Sequence, residues 1–128
     1  MTYEELLKET DSIGLIVKEK PLYSGDGRIL KNKIAIRKNI STQKEKSCVL
    51  AEELGHHYTT VGNILDQSSV SNRKQELRAR MWAYNKLIGL MGIIKSYEHG
   101  CQSYHEMAEY LDVTEEFLRD ALEKYRQK

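Results

Sequence analysis

The stretch Cys48-Val49-Leu50-Ala51-Glu52-Glu53-Leu54-Gly55-His56-His57-Tyr58 sets two acids and two imidazoles close together. On a helix, residues four apart leave the same face one turn above each other, so Glu52 pairs with His56 and Glu53 with His57. Val49, Leu50 and Leu54 fill other directions, which makes this a half-buried helix. Ionisable groups on such a helix are costly unless they are paired or bound to an ion. The plainer alternative is an exposed acidic and imidazole face, or two i,i+4 salt bridges.

A hydrolytic zinc site needs three protein ligands, an open position for water and a carboxylate beside that water. One helix can supply two ligands and the base as H-E-x-x-H. Here the frame is Glu52-Glu53-Leu54-Gly55-His56. Glu53 stands at the base position and His56 at the second ligand, while Glu52 occupies the place of the first histidine. A carboxylate oxygen is an accepted zinc donor. Its negative charge lowers the Lewis acidity of the metal relative to an imidazole. The third ligand must come from elsewhere. Glu76, near the start of the next helix, faces His56 if the two helices pack antiparallel, and Asp66 in the connection is the reserve.

The elements that must position these residues are readable in outline. Residues 3 to 11 read as an amphipathic helix with Leu6 and Leu7 inward and Thr2 as cap. Ile13 to Lys18 is strand-like. Pro21 and Ser24-Gly25-Asp26-Gly27 punctuate the chain. Arg28–Leu30 and Lys33–Arg37 then read as two strands joined by a Lys31-Asn32 turn. Ser41 or Thr42 caps the helix that carries the motif, with Glu45 in the capping-box position, and that helix runs to about Thr59. Residues 61–70 read as a connection. Ser71 or Asn72 caps a long helix to about Gly89 or Gly92. Three more helices follow, over roughly Ile93–His99, Tyr104–Leu111 and, capped by Thr114, onward to about Arg126. The predicted class is α+β: a small antiparallel sheet of about three strands, a mainly helical zincin-like core and a C-terminal helix pair.

A chain of 128 residues fits one domain. Within it, 1–40 forms the N-terminal helix and hairpin region, 41–92 the active-site helices and 93–128 the C-terminal helices. Twenty Lys and Arg against 19 Asp and Glu leave a net charge of +1, less than a dedicated nucleic-acid binder carries. The local run of cations from Arg28 to Lys46 reads as a solvated face. Cys48 and Cys101 form no CxxC pair and read as reduced thiols, Cys48 as a small core residue. No secretion signal opens the sequence, and no segment approaches the ~18 consecutive apolar residues of a membrane span. The expected location is the cytoplasm.

Taken together, Leu50-Ala51-Glu52-Glu53-Leu54-Gly55-His56-His57-Tyr58 and Gln75-Glu76-Leu77-Arg78-Ala79-Arg80-Met81-Trp82-Ala83 resemble the ImmA/IrrE family of metallo-endopeptidases. The preceding hairpin and the helical tail are similar as well, so the resemblance covers most of the chain. It implies a Zn2+ cofactor, with Glu53 as general base and His56 and Glu76 as ligands. It also implies cleavage of a helix-turn-helix repressor, which derepresses a prophage or mobile element. At Glu52 the family pattern has histidine. Either Glu52 ligates in its place, or His57 substitutes, or the domain has lost tight metal binding and keeps a binding role. The first is preferred, because it preserves the helical face.

Tyr58, Trp82 and Tyr84 are expected to pack, and His99 and His105 to lie at the surface. Residues 104–118 have the rhythm of a helix-turn-helix. The second of these helices opens Thr114-Glu115-Glu116, which repels phosphate. The pair therefore reads as structural, or as a docking surface for the repressor, and direct nucleic-acid binding is not expected. Two other classes stand beside the peptidase: an antirepressor that acts by binding alone, and a toxin–antitoxin or DNA-binding regulator.

Overall fold

The computed structural model of the chain describes residues 1–59 and 70–127, the side chains of 70–72 excepted. Residues 61–69 of the connection expected at 61–70, and with them Asp66, lie outside the described residues, while Val70 already belongs to a helix. Helix α1 (Tyr3–Ser12) begins on a capping box: Glu5 N–H donates to Thr2 Oγ1 at 3.2 Å and Thr2 N–H donates to Glu5 Oε1 at 2.9 Å. Three strands follow, β1 (Ile16–Lys20), β2 (Gly27–Leu30) and β3 (Lys33–Arg37). The rest is helical: α2 (Gln43–Thr59), α3 (Val70–Leu87), α4 (Gly89–His99), α5 (Tyr104–Leu111) and α6 (Glu115–Arg126).

The α+β class and the three strands match the sequence expectation, and the hairpin turns where the pattern places it. β2 and β3 pair antiparallel with Leu30 opposite Lys33, and Lys31 takes the left-handed conformation at φ 56°. One pairing corrects the expected all-antiparallel sheet. The order is β1-β3-β2, and β1 runs parallel to β3, Ile16 opposite Lys33 through Lys20 opposite Arg37. The chain leaves β1, passes through β2 at the far edge and returns as the central strand. Alternation sends Ile34 and Ile36, at 2% and 0% exposure, toward the helices.

Helix α2 is packed on several sides, against α1, α3, β2 and β3. Thr42 is its cap, its Oγ1 accepting from Glu45 N–H at 3.1 Å. Leu50, Ala51 and Leu54 lie in a continuous core with Leu6, Ala83, Tyr84, Met107, Val113 and Leu118. Ser71 and Asn72 fall inside α3 rather than ahead of it, and α4 starts at Gly89, earlier than the Ile93 expected. Gly89 has φ 65°, a backbone that glycine adopts freely, and the chain redirects there. The α5–α6 pair belongs to the core: Phe117 packs edge-on against Tyr84 at 5.0 Å, and Thr114 Oγ1 caps α6 through Phe117 N–H. Cys48 and Cys101 are buried and free. No helix among the described residues is long and apolar enough to cross a membrane.

Candidate active site

The site is built where α2 and α3 touch most closely, and a glycine makes the approach possible. A Cβ at Gly55 would overlap the Ala79 carbonyl oxygen and stand 3.0 Å from the Ala79 Cα. Any larger residue would push α3 away. With the helices this close, the imidazole of His56 and the carboxylate of Glu76 meet: His56 Nε2 lies 3.2 Å from Glu76 Oε1. His56 is 9% exposed and Glu76 37%, so the pair stands at the mouth of a buried seam. The antiparallel packing inferred from sequence brings together the two side chains expected to share an ion.

Glu53 lies one position from Glu52 on the same helix, half-buried against the edge strand. A Cβ at Gly27 would stand 2.9 Å from Glu53 Oε2 and 2.8 Å from Val49 Cγ1, so β2 closes over this carboxylate because Gly27 has no side chain. Burial first, and then the charges of Glu52 and Glu76, push the Glu53 pKa up to about 8 against the opposing charge of Arg28 on β2.

Glu52 takes a different direction. It lines a cavity of about 370 Å³ together with Asp26, Glu45, Cys48, Thr114, Glu116, Phe117 and Asp120, and neither His56 nor Glu76 lines it. Burial raises its pKa, Arg80 on α3 lowers it, and Glu76, Asp26 and Asp120 raise it. His57, the alternative ligand, is exposed and meets the ring of Tyr58 edge-on at 4.9 Å. Tyr58 stacks on Trp82 at 5.0 Å, a surface pair rather than a core one, since Tyr58 is 51% exposed. Tyr84 is buried, as expected.

The donor types fit a zinc ion: one imidazole and carboxylate oxygens. The separation of His56 and Glu76 is also what two ligands of one tetrahedral ion require, roughly 3.3 Å for bonds of about 2 Å. Their arrangement is incomplete. No group of three His, Cys, Asp or Glu side chains able to hold a metal ion occurs among the described residues. Two donors meet, and Glu52 stands on the adjoining cavity.

A family model described as the IrrE N-terminal-like domain, of the M78 peptidases, matches residues 11–123. The chain belongs to that family. No curated protein and no solved structure matches it. Membership makes the domain metallopeptidase-like, in agreement with the resemblance carried by the α2 and α3 motifs. Four contributors to the site's environment escaped the motif reading: Gly27, Arg80, Asp26 and Asp120. Gly27 and Asp26 sit in a cluster that reads only as a turn, and Asp120 lies far along the chain. Gly55 gave a visible signal. A glycine in the middle of a helix costs about 1 kcal/mol against alanine and calls for a packing reason.

Proposed function

We propose that this domain is a zinc-dependent metallo-endopeptidase of the ImmA/IrrE type, acting in the cytoplasm. Its substrate would be a helix-turn-helix repressor, cut at one site to derepress a prophage or mobile element. The observation that supports it best is the contact of His56 with Glu76 across the α2–α3 seam, one turn from Glu53. In this reading His56, Glu76 and Glu52 would hold the ion, Glu52 by rotating out of its cavity toward His56, its i+4 neighbour. The chemistry a bound zinc ion supplies is Lewis-acid polarisation of the scissile carbonyl and acidification of water.

The chain's own residues carry the proton. Glu53 accepts a proton from the attacking water and delivers it to the leaving amine nitrogen, which breaks the peptide bond without a charged amide leaving group. Its place under β2, against Gly27, keeps the carboxylate partly out of bulk water, and the charge of Arg28 favours its ionised form.

A second reading has its own support: an antirepressor that binds without cutting. Glu52 in place of histidine and the absence of a three-donor group among the described residues both favour it. Incubation of candidate helix-turn-helix repressors with the zinc-supplied protein, with fragments read by mass spectrometry, separates the two. A single cut that disappears in Glu53→Gln is the expected result. A stable complex with no cut, equally strong in Glu53→Gln, would replace the peptidase by the binder.

A further inference from the structure

The sheet has a second face. Strand register places Ile16, Lys18 and Lys20 of β1, Lys33 and Ala35 of β3, and Arg28 and Leu30 of β2 on the side away from Ile34, Ile36 and α2. These residues line a groove of about 330 Å³. Its floor is aliphatic, with Ile16 44% and Leu30 66% exposed. Its rim is cationic, and no carboxylate lines it. Among the described residues Lys18, Lys20 and Lys33 make no ion pair, and Arg28 donates to Ser24 Oγ at 3.1 Å. Four cations off the groove lining are matched, Lys46 with Glu19, Lys44 with Glu109, Lys86 with Glu9 and Arg37 with Asp26; what sets the groove apart is that its cations stand together around an aliphatic floor. Exposed aliphatic side chains ringed by unmatched positive charge are costly to leave in water together and complementary to a surface of the opposite kind.

We propose that this sheet face docks an acidic protein segment bearing aliphatic side chains. Its carboxylates meet Lys18, Lys20, Lys33 and Arg28, while its alkyl groups cover Ile16, Ala35 and Leu30. A single-stranded nucleic acid would offer the charge but not the apolar match. Sheet faces that bind bases do so by stacking them on aromatic rings, and no aromatic residue lines the groove. The inference goes beyond the peptidase reading and does not rest on it, because the groove and Glu53 lie on opposite sides of the sheet.

The test uses the whole chain and a short fluorescein-labelled peptide of alternating glutamate and leucine, with binding read by fluorescence polarisation. Saturable binding is expected, weakened tenfold or more by Lys18→Glu with Lys33→Glu and less strongly, in the same direction, by Lys18→Gln with Lys33→Gln. Leu30→Asp is expected to weaken it as well. All of these positions are exposed, so unchanged circular dichroism should accompany each loss. Absence of saturable binding, or binding that survives the lysine variants, overturns the proposal. Equal or tighter lysine-dependent binding of an oligothymidylate would make this a nucleic-acid face instead. Self-association of the wild type that the lysine variants abolish, seen by sedimentation velocity, would assign the face to a second copy.

Discussion

Glu53 is the residue on which chemistry and stability make opposite demands. Its pKa is pushed up to about 8 from an ordinary value of 4.5, first by burial and then by Glu52 and Glu76. The folded state therefore holds this proton between those two pH values while the unfolded chain has released it. The associated stability is fully present below about pH 4.5 and is lost as pH rises through 8. In metal-free protein Glu53→Gln removes that penalty. Its melting temperature is expected to exceed the wild type's at pH 9, by an amount corresponding to roughly 1–3 kcal/mol, and to match it at pH 4. A constant offset at both pH values would contradict this account of Glu53. The same substitution removes the proton acceptor, and hydrolysis should fall by about 10²–10⁴-fold. At this scale the sequence was informative about Glu53 and His56, which one helix sets three residues apart, and about Glu76 through the antiparallel packing expected of the next helix. It was silent on the direction of Glu52 and on the charges of Arg80, Asp26 and Asp120, three residues brought near it only by folding.

The elements make the site through two close approaches and one imperfection. Gly55→Ala would force its methyl into the Ala79 backbone. We expect a loss of about 2–4 kcal/mol in denaturant melts, and separation of Glu76 from His56, readable as a larger shift of the His56 imidazole resonances than of the distant His105. If Gly55→Ala were neutral, the tight α2–α3 seam would not be what sets the His56–Glu76 distance. Ser47, on the buried side of α2, is 1% exposed and its Oγ has no hydrogen-bond partner among the described residues. Ser47→Ala removes an unsatisfied hydroxyl and adds helix propensity, so a gain of about 0.5–1.5 kcal/mol is expected, measured as a higher denaturation midpoint at unchanged slope. Element boundaries were legible where capping chemistry is local, as at Thr2, Thr42 and Thr114. The parallel pairing of β1 with β3 was not, because a non-local partner leaves no signature in a five-residue strand, whereas the Lys31-Asn32 turn marks the β2–β3 hairpin directly.

The whole molecule carries a net charge of only +1, yet its charges are sorted. Carboxylates line the cavity beside Glu52, and lysines without an ion pair among the described residues line the outer sheet face. Composition hides this, since a balance of totals says nothing of where folding puts each sign. The proposed metal centre at the α2–α3 seam would likewise be a property of the assembled chain, because His56 and Glu76 come from two helices that must dock. The most direct test of that centre is the zinc content of purified protein, by elemental analysis, beside Glu52→Ala, His56→Ala, Glu76→Ala and Glu53→Gln. The expected result is near-stoichiometric zinc in the wild type and in Glu53→Gln, and loss of zinc in the other three. Protein that stays free of metal in every case, even after zinc is supplied, would contradict the metallopeptidase account and leave the fold as a binding module.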